Sequence, residues 1–393
     1  MWGEARVILL FWKMYEVMKM DFEMDEEMIS AINKAKEFAE KYFTEELADK
    51  MDREEQFPME LLNYSNREGL MDYSNPWKIL VTIEELCRKD PGLGISTTVP
   101  AFGSEVLMLY GSDMLKEKYL DPVLKGQKIM GLAVTEPGGG SDVASSKTEA
   151  KLERDYYILN GAKMFITNGG IADYFVVLAR TSPPPSPDKR HRGMSVFIVE
   201  SKWEGFKANK IHGKMGVRAT NTAELVFENV RVPKENLVGE EGKGFYYIMT
   251  FFNISRIYVA AQGLGVAQGI LDRLMEHIKK YGPVNSQGEP IENIQFKLAE
   301  IATRIEASRG LTYKAASYLF KFNPNPVLTS MAKYYSGETA ILASKVAMEI
   351  MGLKALNSEL ERFYRDARIL EIWEGTSEIE KLIISRMMLK GGK

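Results

Sequence analysis

Cysteine is nearly absent from this chain. Cys87 is the only one, which excludes an intrachain disulfide and fits a reducing, cytoplasmic setting. Histidine is almost as scarce: His191, His212 and His277 are scattered without ligand spacing, so no metal site is expected. Neither sign of charge prevails, since the formal net charge is −3, and nothing pulls the chain as a whole toward nucleic acid. Long apolar runs are also missing. The early run "VILLFW" is too short to span a bilayer. Lys13, Glu16 and Lys19 follow it at once and no small-residue cleavage site is present, which argues against membrane insertion and against a signal peptide. Residues 1–19 are read as an N-terminal extension, a start-site artefact that ends near Met20.

What is present is ordinary globular composition. The 393 residues, 45% hydrophobic and 27% charged, suffice for two or three domains with a sizeable core, and the expected partner is a small molecule. Residues 20–130 read as a helical domain, with apolar positions three and four apart in "EEMISAINKAKEFAEKYF" and "YGSDMLKEKYLDPVLKGQ". Over 131–240 the period changes to two, in "DYYILNG", "ADYFVVLAR", "GMSVFIVE" and "AELVFENVRVP". These predict strands of a compact β domain, with the proline tract "TSPPPSPDKRHRG" as an exposed hairpin loop. Residues 241–393 are helical again. The fold class is therefore mostly α with a central β domain.

Three stretches could carry chemistry. "GLGVAQG" tempts a dinucleotide reading, but no strand precedes it and a helical pattern runs through it, so tight helix packing is expected instead. "LAVTEPGGGSD" places three glycines before Ser141, which lets backbone N–H groups approach an anion or simply gives a hinge. "ILEIWEGTSEIEK" sets Glu374 between Trp373 and Gly375 within an apolar pattern. There it is either the approach to a helix capped by Thr376 or Ser377, with Glu378 and Glu380 in its first turn, or a general base raised in pKa by desolvation.

Together these segments resemble the acyl-CoA dehydrogenase family. Its motifs appear here as "VTEPGGGSD", "KMFITNGG", "KMGVR" from Lys214 to Arg218, and "YRDARILEIWEGTSEI", in order from about Met20 to the C-terminus. The resemblance implies a three-domain fold: an α-helical domain, a β-barrel or sandwich domain, and a C-terminal four-helix bundle. It also implies FAD as cofactor. Leu132, Val134, Thr135, Gly140, Ser141, Phe165, Ile166, Thr167, Thr376 and Glu378 would be cofactor-binding, with Phe165 in place of the family's tryptophan and Thr167 reaching flavin N5. Ser141, Asn253, Arg256 and Gly375 would contact substrate. Glu374 would be catalytic, taking the α-proton of an acyl-CoA thioester while the β-carbon gives a hydride to the flavin. The enoyl-CoA would be trans, the electrons would pass to an electron-transfer flavoprotein, and the assembly would be a homo-oligomer, a tetramer or dimer. Some relatives carry their base just before the arginine of the helix near residue 255. Here Ser255 precedes Arg256, so Glu374 has no competitor.

Three departures stand out. No arginine lies near Gly288, where the family reaches the ADP half of the flavin. The family's "QxxGGxG" loop is reduced to "EIMGLKA", with Glu349 for the glutamine. The "PxxYGGxG" loop that helps shape the acyl pocket is missing, and "DYSNPWKIL" runs almost straight into the next helix. The first two losses keep open a flavin-poor CoA-binding or scaffold protein of the same fold, the third leaves the substrate range open, and an acyl-CoA oxidase reducing oxygen is the rival within the same class.

Overall fold

The computed structural model describes residues 24–281 and 291–389. The extension expected over 1–19 and the segment around Gly288 lie outside the described residues. The N-terminal layer comprises α1 (Glu26–Tyr42), α2 (Glu45–Glu54), α3 (Met59–Glu68), α4 (Pro76–Lys89), α5 (Pro91–Thr98), α6 (Ser104–Tyr110), α7 (Asp113–Leu115) and α8 (Asp121–Leu124). Local chemistry sets their ends. The Asp25 carboxylate accepts the Met28 N–H at 2.8 Å. Asn75 and Asp90 cap α4 and α5, each followed by a proline where the helix has no use for an N–H. Gly69 stops α3 with φ +58°. The periodicity of 110–127 predicts one helix, whereas α7 and α8 are joined by a π turn over Lys116–Leu120. There the Asp121 N–H returns to the Lys116 carbonyl, just before Pro122, which has no N–H to continue the ladder.

The middle of the chain forms one eight-stranded sheet from β1 (Met130–Ala133), β2 (Glu149–Glu153), β3 (Tyr156–Thr167), β4 (Tyr174–Arg180), β5 (Met194–Glu200), β6 (Phe206–Lys210), β7 (Thr222–Pro233) and β8 (Leu237–Val238). The path runs β6-β7-β3-β2-β4-β5-β8, and β1 lies parallel to β4, with Met130 opposite Tyr174. The proline tract is the exposed connection between antiparallel β4 and β5, pinned by Arg180 to the carbonyls of Arg190 and Arg192. The long pair β3/β7 loses register between Lys163 and Ile166. That bulge matters for the site, because a bulge re-aims the side chain it carries.

The C-terminal layer holds α9 (Gly244–Tyr281), α10 (Ile291–Leu319), α11 (Pro326–Met351), α12 (Leu353–Leu356), α13 (Leu360–Ala367) and α14 (Ser377–Leu389). Helices α9, α10, α11 and α14 pack as a bundle, and α4 lies along α9. The "GLGVAQG" glycines lie inside α9 and face neighbouring backbones. A Cβ at Gly265 or Gly269 would overlap the carbonyl oxygens of Glu84 and Arg88 on α4, and one at Gly263 would press on Ser336 of α11. Close packing, not phosphate binding, accounts for them.

Two apolar cores meet at a seam. One fills the bundle, the other lies between α6 and the sheet, and Tyr73 and Phe102 pack against both. Among the described residues no helix is long and apolar enough to cross a membrane.

Candidate active site

Glu374 sits on the turn between the 3-10 segment Arg368–Glu371 and α14. Its backbone is left-handed, φ +56°, and Gly375 follows at φ +108°. A non-glycine residue in that region is held there by its surroundings. Arg256 of α9 donates from Nε to the Glu374 carbonyl at 2.8 Å and lies 3.0 Å from Glu380 Oε1. Lys333 of α11 donates to the Gly375 carbonyl at 2.5 Å. A Cβ on Gly375 would overlap Glu380 Oε1, so this position must be glycine. Thr376 Oγ1 accepts the Ile379 N–H at 3.3 Å and caps α14. The capping chemistry and a partly buried carboxylate are therefore both present, one on each side of Gly375.

The Glu374 side chain points to α9, where the Ser255 hydroxyl donates to its Oε2. Burial raises its pKa above the usual carboxylate range, against the lowering effect of Ser255, Arg256 and Lys333. Burial likewise raises Glu380 and lowers Lys333 to about 8. Arg256 and Lys333 balance Glu374 and Glu380, so four charges share this low-dielectric turn. Breaking any of them strands a partner.

The turn is anchored from behind by α13. The Val217 N–H donates to Asp366 Oδ1 at 2.6 Å, Arg365 donates to the Met215 carbonyl at 2.9 Å, and a Cβ on Gly216 would overlap the Arg365 carbonyl. Arg365 also forms a bidentate pair with Asp52 of α2 at 3.0 and 2.7 Å. The "KMGVR" and "YRDAR" motifs thus touch each other, and the second ties all three layers together ahead of Glu374.

A second group gathers at the end of β1 and the β3 bulge. The Met164 N–H donates to the Thr135 carbonyl at 2.8 Å instead of to β7. Phe165, at φ +59°, turns its ring outward and leaves it 66% exposed. Asn168 ends β3 and its amide donates to Val99 and Met130 at 2.7 and 2.9 Å, fixing Thr167 beside β1. Beneath the loop, Lys163 is fully buried and meets Glu136 at 2.9 Å. Gly138 and Gly139 are open on their outer side, and Gly140 and Ser141 complete this loop.

The structure sorts the expected residues. Thr135, Phe165 and Thr167 lie where the end of β1 meets the β3 bulge and keep some exposure, whereas the side chains of Leu132, Val134 and Ile166 are buried in the cores. Those three offer only backbone to a ligand. Glu378 is exposed in the first turn of α14, and Asn253 is partly buried on α9. Arg256, expected as a substrate contact, directs its guanidinium to the Glu374 carbonyl and Glu380. Glu349 does not add an uncompensated charge, because Lys297 pairs with it at 2.9 Å.

Sequence reasoning missed Lys333, the Ser255–Glu374 bond and Glu105. Only Glu105 left a sequence signal, a carboxylate inside the apolar run "FGSEVLMLY".

Comparison with known proteins agrees with this architecture. Family models for the acyl-CoA dehydrogenase N-terminal, middle and C-terminal domains match residues 25–127, 131–230 and 242–389. The chain is 37% identical over 369 residues to a 3-(aryl)acrylate reductase of Clostridium sporogenes, covering 91% of this chain and 97% of that one. It is 35% identical over 369 residues to the CarC subunit of a caffeyl-CoA reductase–Etf complex of Acetobacterium woodii, covering 91% and 96%. Butyryl-CoA dehydrogenase from Megasphaera elsdenii superposes with a TM-score of 0.86 at 33% identity, over 94% of this chain and 100% of that one. The chain belongs to the acyl-CoA dehydrogenase family of flavin-dependent oxidoreductases. The residues present fit a flavin: an outward aromatic ring on a bulge, the partly exposed hydroxyl residues Thr135 and Thr167 at the same junction of β1 and β3, and a glycine loop with open backbone.

Proposed function

We propose that this protein dehydrogenates an acyl-CoA thioester between its α- and β-carbons with FAD as cofactor, Glu374 serving as the base that removes the α-proton. The observation that carries this reading is the Glu374 turn itself. A carboxylate raised by burial, oriented by the Ser255 hydroxyl and fixed through its own backbone by Arg256, is a preorganised base. The Glu374 amide makes no hydrogen bond among the described residues and is free to donate to the thioester oxygen, where charge grows as the α-proton leaves. Phe165, Thr135, Thr167 and the 138–141 loop would hold the cofactor. Flavin, when bound, accepts the hydride from the β-carbon.

Arg256 acts as a positioning residue: it holds the peptide that carries the base instead of reaching the substrate. The electrons leave to an electron-transfer flavoprotein, a reading supported by the relative whose name places it in an Etf complex. A homo-oligomer is the expected assembly, and the compartment is expected to be the cytoplasm. The test is Glu374→Gln. Flavin reduction by acyl-CoA should fall by at least ~100-fold while FAD remains bound, and fast reduction retained in that variant would reject the assignment.

A further inference from the structure

Lys163 is a buried lysine to which the proposed reaction gives no part. It stands on β3 directly before the bulge, and its side chain has no exposure. An ammonium carries three N–H donors, and all of them are met: by Glu136 Oε1 at 2.9 Å, by the Val134 carbonyl at 3.1 Å and by Ser146 Oγ at 3.1 Å. Glu136 is used as fully. Its Oε1 also accepts the Ser146 hydroxyl and, at 2.9 Å, the Thr148 N–H, while Oε2 accepts the Lys147 N–H at 2.7 Å.

These bonds converge on Thr135. It lies between Val134 and Glu136, the two residues that Lys163 holds, and its own carbonyl takes the Met164 N–H at 2.8 Å. Three consecutive residues at the end of β1 are therefore bonded to residues 163 and 164, and Phe165 follows at once. The Glu136 carboxylate also closes the glycine loop, because Glu136 begins that loop and captures residues 146–148 at its far end. Within it Gly140 comes back against Thr135, where an added Cβ would lie 3.1 Å from Cγ2. Arg180 fastens the returning strand from outside, donating to the Ala144 carbonyl at 3.1 Å. One ion pair thus underlies Thr135, Phe165 and the 138–141 loop together.

A buried pair of this kind is a weak source of stability, since desolvating two charges offsets most of their attraction. Burial opposes the charge on Glu136, yet Lys163 and the hydrogen bonds bring its carboxyl down to about 2, and burial lowers Lys163 only to about 8. Both stay ionised at neutral pH. What the pair does supply is register. Between Lys163 and Ile166 the ladder of β3 with β7 is broken, and the contact with residues 134–136 is what fixes the bulged residues in its place.

Resting on the flavin reading, we propose that Lys163 and Glu136 are positioning residues for the cofactor, setting Thr135, the Phe165 bulge and the glycine loop in the one arrangement that presents all three to a flavin. A site is only as precise as the residues that support its contacts.

The test compares the FAD-loaded protein with Lys163→Met/Glu136→Gln, which removes both charges and leaves the residue 136 side chain able to accept from Ser146 and Thr148. Three readouts are taken: the Kd for FAD by equilibrium dialysis, the visible flavin bands, and amide hydrogen exchange at Met164 and along α11. The double variant should bind FAD roughly 10- to 100-fold more weakly, the loss typical when a supporting shell is removed. Its flavin bands should move toward those of free FAD and the Met164 amide should exchange faster, with the α11 amides unchanged. Glu136→Gln alone, in which Lys163 can shed its proton, should show the same changes to a smaller degree. An unchanged Kd with unchanged bands would overturn the positioning role and leave the flavin reading intact. Equal loosening of Met164 and α11 would also overturn it, by showing that the pair serves the fold as a whole. An unaltered protein that binds no FAD would overturn both readings.

Discussion

The Ser255 hydroxyl is the most informative place to perturb the base. It donates to Glu374 Oε2 and so favours the ionised carboxylate, while burial favours the neutral acid. Removing it by Ser255→Ala leaves burial less opposed, and the Glu374 pKa rises further. A hydrogen bond to a charged group is worth about 1.5–3 kcal/mol, and one pKa unit corresponds to about 1.36 kcal/mol, so the upward shift is about 1–2 units. The base works only when deprotonated, so the rate of flavin reduction climbs with pH through this pKa. Ser255→Ala should displace that acid limb to higher pH by the same amount. At a pH below the limb the rate then falls roughly 10- to 100-fold, and it recovers at high pH. Rapid-mixing measurement of flavin bleaching across the limb is the assay, with Ser255→Thr, which keeps the hydroxyl, as the control. Arg256, Lys333, Glu380 and Glu105 also bear on Glu374, but they are present in both variants and cancel in the comparison. A limb that stays in place or moves to lower pH in the alanine variant would refute the assigned role of the hydroxyl.

Two further outcomes concern stability. Gly265→Ala forces a methyl against the Glu84 carbonyl on α4 and should cost about 1–3 kcal/mol by overpacking, read from urea unfolding; an unchanged midpoint would contradict the close approach. Asp366 is pushed up to about 7 from 3.8, by burial first and by the charge of Asp90 second. The native state therefore keeps a proton that the unfolded chain has released between about pH 4 and pH 7, and stability falls as pH rises through that window. Asp366→Asn can still accept the Val217 N–H but cannot titrate, so it should flatten this part of the pH–stability curve. Equal slopes in the two proteins would show that Asp366 is ionised when folded.

Local signals in the chain were sufficient for the layers. Periods of three to four and of two separate α1 from β3 without reference to tertiary contacts, and the lack of a strand before Gly263 is enough to discard a nucleotide reading. Where local pattern met a backbone constraint it was less complete. Periodicity runs evenly through residues 110–127, and only the missing N–H of Pro122 marks the place where the helix widens. The outward turn of Phe165 depends on a bulge against β7, a partner more than fifty residues away, so its aromatic character was legible but its exposure was not.

The candidate site divides in the same way. Glu374, Thr135 and Phe165 stand in motifs whose resemblance to a family is carried by contiguous residues. The Ser255–Glu374 bond spans 119 positions, and the contact of "KMGVR" with "YRDAR" spans 149. No spacing rule connects such pairs. Lys333 reads in sequence as an ordinary helix lysine, and only the fold shows it sealed against the Gly375 carbonyl.

The measurement closest to the central claim is the visible spectrum of the purified protein, recorded anaerobically before and after addition of acyl-CoA thioesters, for the unaltered chain and for Glu374→Gln. The account predicts bound oxidised flavin in both, bleached by substrate in the first and unbleached in the second. Bleaching at comparable rates in both, or a protein that binds no flavin when FAD is supplied, would contradict it.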